Sequence, residues 1–128
     1  MKIEHLALWV SDIEKMKDFY LKFFDLTANE KYYNSKKEFT SYFLSFENGA
    51  RIELMHRPDI SKFVEKADSK LGLAHFAISL GSNEKVDSLT EQLRSSGHSI
   101  VGEPRITGDG YYESVIADPE GNLIELTV

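Results

Sequence analysis

The chain has 128 residues, of which 41% are hydrophobic and 28% charged, with a net charge of −6 and no cysteine. These values fit one ordinary soluble domain that buries roughly two thirds of the surface its unfolded form exposes, and they exclude a disulfide framework, thiolate metal ligands and a cysteine nucleophile. The 15 Lys and Arg residues are scattered apart from Lys36-Lys37, no apolar run reaches the roughly 18 residues of a membrane span and the first residues do not read as a signal peptide, so the expectations are a cytoplasmic protein, a small-molecule substrate, and neither nucleic acid nor membrane as partner.

The first apolar segment, Glu4 to Val10, reads as a strand and leads into an amphipathic helix from Ser11 to Leu26. Ser11 and Glu14 are placed as a capping box, and Ile13, Met16, Phe19, Tyr20, Phe23 and Phe24 recur at helical spacing. A strand near Ala28 to Tyr33 precedes a hairpin, Tyr42 to Phe46 and Arg51 to Met55, turning at Asn48-Gly49. A polar connector over residues 57–72 contains Pro58, and a short helix is expected around Ser61 to Ala67.

The pattern then starts again. Ala74 to Leu80 reads as a strand, and Ser82 to Ser96 as a helix capped by Ser82 or Asn83 and stopped at Gly97. Ile100 to Thr107 follows as a strand, then Tyr112 to Ala117 and Leu123 to Val128 around the turn Asp118-Pro119-Glu120-Gly121-Asn122. The reading is a single α+β domain, residues 1–128, built from two β-α-β-β-β modules, 1–56 and 73–128, that form a cupped, barrel-like mixed sheet.

Both copies carry a histidine and a glutamate at matching places. Glu4-His5-Leu6-Ala7 aligns with Ala74-His75-Phe76-Ala77, and Arg51-Ile52-Glu53-Leu54 aligns with Leu123-Ile124-Glu125-Leu126. The histidines lie 70 residues apart and the glutamates 72. Because side chains alternate along a strand, Leu6, Leu8 and Val10 fall opposite His5, Ile52 and Leu54 opposite Glu53, Phe76 and Ile78 opposite His75, and Ile124 and Leu126 opposite Glu125. All four polar side chains therefore point away from the helix-covered face. Two carboxylates flanked by aliphatics repel each other unless a cation or proton intervenes. Two neutral imidazoles and two carboxylates suit one divalent Zn, Ni, Co, Mn or Fe ion, whereas Ca or Mg prefers more oxygen ligands. His56, on the other parity, and His98, after the helix stop, read as rim residues.

This duplicated pattern, with His5, Glu53, His75 and Glu125 and with the segment from Asp118 to Leu126, resembles the vicinal oxygen chelate superfamily of glyoxalases, bleomycin resistance proteins and dioxygenases. The resemblance covers the whole chain and is closest to the glyoxalase I branch. It implies a metal-dependent lyase or isomerase acting on a small carbonyl or hemithioacetal substrate through an enediolate, with Glu125 as the first choice of base and Glu53 serving the opposite face. It also implies a homodimer, with the metal site lying within one chain or across two. A metal-dependent thiol transferase or antibiotic-resistance enzyme, and a non-catalytic small-molecule binding protein, remain as alternatives.

Trp9 and Arg57 occupy the positions where glyoxalase I carries its glutathione-binding Arg and Asn, which puts glutathione as cosubstrate in question. Trp9, Tyr42, Arg51, Arg57 and Tyr112, together with Arg105 and Tyr111, are the candidates for substrate binding.

Overall fold

The computed structural model describes residues 1–60 and 72–128. The chain divides into two compact units, Met1–Glu65 and Lys66–Val128. The short helix expected around Ser61 to Ala67 lies outside the described residues.

In the first unit, β1 (His5–Trp9) is followed by α1 (Ile13–Phe23), two short strands β2 (Thr27–Ala28) and β3 (Tyr32–Asn34), and the hairpin β4 (Phe39–Ser45) and β5 (Arg51–His56). The sheet order is β1-β5-β4-β2, with β3 also on β4. Only β1 and β5 run parallel, and the rest is antiparallel. The single strand expected near Ala28 to Tyr33 is thus two strands. Asn29 separates them by using its side-chain oxygen to accept the Phe43 N–H at 2.7 Å.

The α1 start differs from the sequence reading by one residue. Asp12 is the N-cap, its carboxylate accepting the Lys15 N–H at 3.0 Å, in place of Ser11. The buried stripe Ile13, Met16, Phe19, Tyr20 and Phe23 lies against β4 and β5, where Leu44, Ile52 and Leu54 are buried.

The second unit repeats the plan with β6 (Phe76–Ser79), α2 (Asn83–Ser95), β7 (Ile100–Ile106), β8 (Tyr112–Ala117) and β9 (Leu123–Thr127), in the order β6-β9-β8-β7. Here β6 and β9 are parallel and the other pairs antiparallel. Ser82 caps α2 through Lys85 N–H at 3.3 Å. Gly97, at φ 82°, ends it in a Schellman motif: His98 N–H donates to the Leu93 carbonyl at 3.0 Å and Gly97 N–H to the Arg94 carbonyl at 2.9 Å. Val86 and Leu93 pack over Ile116, Ile124 and Leu126, all fully buried. A polar pair in this core is self-satisfied: the Thr90 and Ser114 hydroxyls are 2.7 Å apart, and Thr90 also donates to the Val86 carbonyl. Pro104 is confined to β7, an edge strand whose register shifts twice.

The turn into β9 is built around Asp118. Its carboxylate accepts the Glu120 and Asn122 N–H groups at 3.0 and 2.8 Å and the Asn122 amide at 2.7 Å. Gly121 takes φ 85° to close the turn. This fixes where β9 begins, and hence where Glu125 sits.

Candidate functional site

Each unit brings one histidine and one glutamate together. In the first, parallel pairing aligns Ala7 with Glu53 and antiparallel pairing aligns Phe43 with Glu53, so the carboxylate stands between a methyl group and a ring. His5 lies two residues before Ala7 on the same face, and its Nε2 is 3.7 Å from Glu53 Oε2. In the second, Ala77 and Val115 flank Glu125 in the same registers, and His75 Nε2 is 3.1 Å from Glu125 Oε2. An alanine beside each glutamate leaves room above the carboxylate. The duplication seen in the sequence is therefore also a duplication of register.

Burial follows the expected parity. Ile52, Leu54, Ile124 and Leu126 are buried beneath the helices, whereas the Glu53 and Glu125 side chains stay 15% and 20% exposed and His5 and His75 about 40% exposed. Among the described residues, no group of three or more His, Asp or Glu side chains gathers as a metal cluster.

The His5 half has a further set of partners that the sequence reading did not identify. Glu4 places Oε2 2.5 Å from His5 Nδ1 and Oε1 2.5 Å from Arg51 Nη2. Those contacts hold the Glu4 carboxyl below its usual range, the hydrogen bond from His5 being the largest cause. The Arg51 guanidinium lies over the Phe43 ring at 4.1 Å, and Phe43 meets the His5 ring edge-on at 5.5 Å. Parity offered a signal for Phe43, since it is an odd-numbered neighbour of Ser41 and Ser45 on β4. Nothing local marked Glu4.

Among the substrate candidates, Trp9 lies on the face that carries the His–Glu pair and is 44% exposed. Its ring is met edge-on by Phe39 at 6.2 Å and covered by the Arg57 guanidinium at 4.9 Å. Arg57 is in turn paired with Asp59 at 3.0 Å. Arg105 pairs with the mostly buried Glu113 at 3.3 Å, and Glu113 aligns with Thr127 on the Glu125 face.

Two candidates leave the list. Tyr42 aligns with Leu54, is buried and donates its hydroxyl to Glu14 on α1 at 3.1 Å. Tyr112 donates to Asp87 on α2 at 2.6 Å, a bond that raises its phenol above the ordinary value. Both serve the helix side of their sheets, because they occupy the parity opposite the glutamates. Tyr111 is exposed in the turn ahead of β8. His56 is a structural residue, its Nδ1 2.8 Å from the Val10 carbonyl at the end of β1.

The comparisons with known proteins agree with this plan. The family model of the Glyoxalase/Bleomycin resistance protein/Dioxygenase superfamily matches residues 2–126. A probable lactoylglutathione lyase of Synechocystis sp. is 30% identical over 132 residues, spanning 98% of this chain and 94% of that protein. A probable lactoylglutathione lyase of Vibrio cholerae is 26% identical over 129 residues, spanning 98% and 88%.

Among solved structures, glyoxalase I from Zea mays superposes with a TM-score of 0.79 at 26% identity over 98% of this chain. It is a longer protein, of which the match spans 44%. A glyoxylase/bleomycin resistance protein/dioxygenase domain from Frankia sp. gives a TM-score of 0.84 at 16% identity, covering 100% and 97%, a likeness of fold alone. Two mixed sheets of duplicated topology, each with its helix on the face opposite the His–Glu pair, and a match over nearly the full length together place the chain in the Glyoxalase/Bleomycin resistance protein/Dioxygenase superfamily, with the α+β fold of the vicinal oxygen chelate proteins.

Proposed function

We propose that this protein is a metal-dependent lyase or isomerase of the glyoxalase I kind, which removes a proton next to a carbonyl group of a small substrate. The observation that carries the reading is the repeated His–Glu pair on the helix-free face of each sheet, at 3.7 and 3.1 Å, with an alanine in register beside each carboxylate. No packing requirement calls for that combination twice.

His5 and Glu53 from one unit, and His75 and Glu125 from the other, would hold one divalent ion of the Zn, Ni, Co, Mn or Fe type, with the two halves drawn from one chain or from two. The donor chemistry fits. Two neutral imidazoles and two carboxylates balance a charge of +2 and suit a borderline cation, and His5 already gives Nδ1 to Glu4, which turns its Nε2 toward Glu53. Held there, a divalent cation supplies Lewis acidity that stabilises negative charge developing on a substrate oxygen.

Glu125 acts as base, taking the proton from the carbon beside the carbonyl and returning it to the neighbouring carbon. Glu53 serves the opposite face in the same way. On the substrate side, Trp9 offers an exposed aromatic surface, while Arg51, Arg57 and Arg105 reach a substrate only by giving up their pairing with Glu4, Asp59 and Glu113. Glutathione is the weaker choice of cosubstrate, because Trp9 and an Arg57 already paired with Asp59 occupy the two contact positions.

The test is elemental analysis of protein purified without a metal-affinity tag, combined with proton exchange in deuterated water. The hemithioacetal of methylglyoxal and glutathione is the first substrate, and hemithioacetals of other small thiols follow. About one divalent ion per site is expected, and a chelator should abolish deuterium uptake beside the carbonyl. Protein that binds no transition metal and exchanges no proton would overturn the reading.

A further inference from the structure

Among the described residues, the two halves of the candidate centre are not equally braced. Around His5 the side chains close a circuit: Glu4 contacts His5 Nδ1 and Arg51 Nη2, each at 2.5 Å, Arg51 lies on Phe43 at 4.1 Å, and Phe43 returns to the edge of the His5 ring at 5.5 Å. The main chain ties the same residues, since Arg51 N–H donates to the Glu4 carbonyl at 2.9 Å. In the second module the matched positions hold Ala74, Leu123 and Val115. None of these side chains accepts from an imidazole or donates to a carboxylate.

We propose that Glu4 is a positioning residue: it holds the proton of His5 on Nδ1, so that Nε2 presents its lone pair toward Glu53, and it makes the first module the pre-set half of the metal centre. The inference rests on the metal-binding reading above. Its physical basis is general. A ligating imidazole needs one nitrogen bare, and a carboxylate on the other nitrogen both selects that tautomer and strengthens the donor. Arg51 Nη2 orients the carboxylate, and the Phe43 face holds Arg51 in place.

Two measurements on wild type, Glu4→Ala and Glu4→Gln decide the matter. The first is the tautomer of His5 in the metal-free protein near pH 8, read from long-range proton–nitrogen NMR and assigned with His5→Gln. Wild type is expected to carry the proton on Nδ1 and Glu4→Ala on Nε2. Glu4→Gln should retain the wild-type tautomer in part, since its one amide oxygen serves either His5 or Arg51.

The second is titration with zinc and cobalt against a competing chelator. Glu4→Ala is expected to weaken binding about 10- to 100-fold, with Glu4→Gln between it and wild type. Glu4 is exposed, so the melting temperature of the metal-free variants should stay within about 3 °C of wild type. An unchanged tautomer in Glu4→Ala overturns the proposal, as does metal affinity within twofold of wild type. If wild type binds no metal at all, the metal reading fails, and the tautomer comparison still decides whether Glu4 orients His5.

Discussion

Glu125 and Glu53 occupy equivalent positions, but they differ in their neighbours. Glu53 stands beside Phe43 and a His5 held by Glu4, whereas Glu125 stands beside Val115, and among the described residues no carboxylate holds His75 at Nδ1. The smaller Val115 leaves the Glu125 carboxylate more room to shift toward a substrate proton than Phe43 leaves Glu53, which favours Glu125 as base. Glu125→Gln should keep most of the metal affinity, since an amide oxygen still coordinates, while the exchange rate falls by about 10³-fold or more for want of a proton acceptor. Metal content and deuterium uptake measured on the same preparation check both parts. A wild-type rate in this variant would move the base to Glu53. Trp9→Ala should leave metal binding intact and change the ranking of hemithioacetal substrates, because its exposed ring lies along β1 beyond the ligand.

Glu14 makes part of the stability depend on pH. Lys17 and Lys31 hydrogen-bond its carboxylate at 2.7 and 2.8 Å and Tyr42 donates to it, which lowers its pKa to about 2. A depressed folded pKa means that this stabilisation is present above the ordinary carboxylate value of 4.5 and is lost as pH falls toward about 2. Its side chain is 48% exposed, so screening leaves only about 0.5 to 1 kcal/mol. Urea unfolding of Glu14→Gln should show that loss at pH 7, and the difference from wild type should shrink steadily below pH 4.

At the scale of single elements, the turns and caps decide where the strands that carry the His–Glu pairs begin. Asp118→Ala removes the acceptor for two backbone N–H groups and the Asn122 amide and should cost about 1 to 3 kcal/mol in chemical unfolding. Metal affinity should fall with it, because β9 loses its fixed start. The start of α1 was read from the sequence as Ser11 with Glu14, a capping box by spacing, yet Asp12 accepts the Lys15 N–H. Either side chain is a good cap, and the choice depends on where helical geometry begins once Ile13 and Met16 are seated on the sheet. Asp12→Ala should therefore cost about 1 kcal/mol and Ser11→Ala clearly less, as thermal unfolding of the two variants will show. At the other end of the repeat, Gly97 was legible because only a residue free to take φ 82° completes that helix stop without strain.

For the whole molecule, each unit supplies only half of the proposed ligand set, and among the described residues each sheet has two edge strands, β6 and β7 in the second one. A homodimer that covers such edges and pairs the halves is the expected assembly. Sedimentation at micromolar concentration should give about twice the chain mass of 14.6 kDa, and a monomer would require the centre to form within one chain.

The sequence alone determined the repeat and the strand alternation and pointed to the four residues proposed as ligands, because each is written in local periods or in near-equal offsets along the chain. Tertiary structure decided which other side chains join them. Tyr42 and Tyr112 carry suitable chemistry but lie under α1 and α2, while Glu4, unremarkable in sequence, meets an arginine 47 residues away. A two-residue period fixes the face on which a side chain stands; its partner across the sheet is set by strand register, which is established only when the helices bury Ile52, Leu54, Ile124 and Leu126.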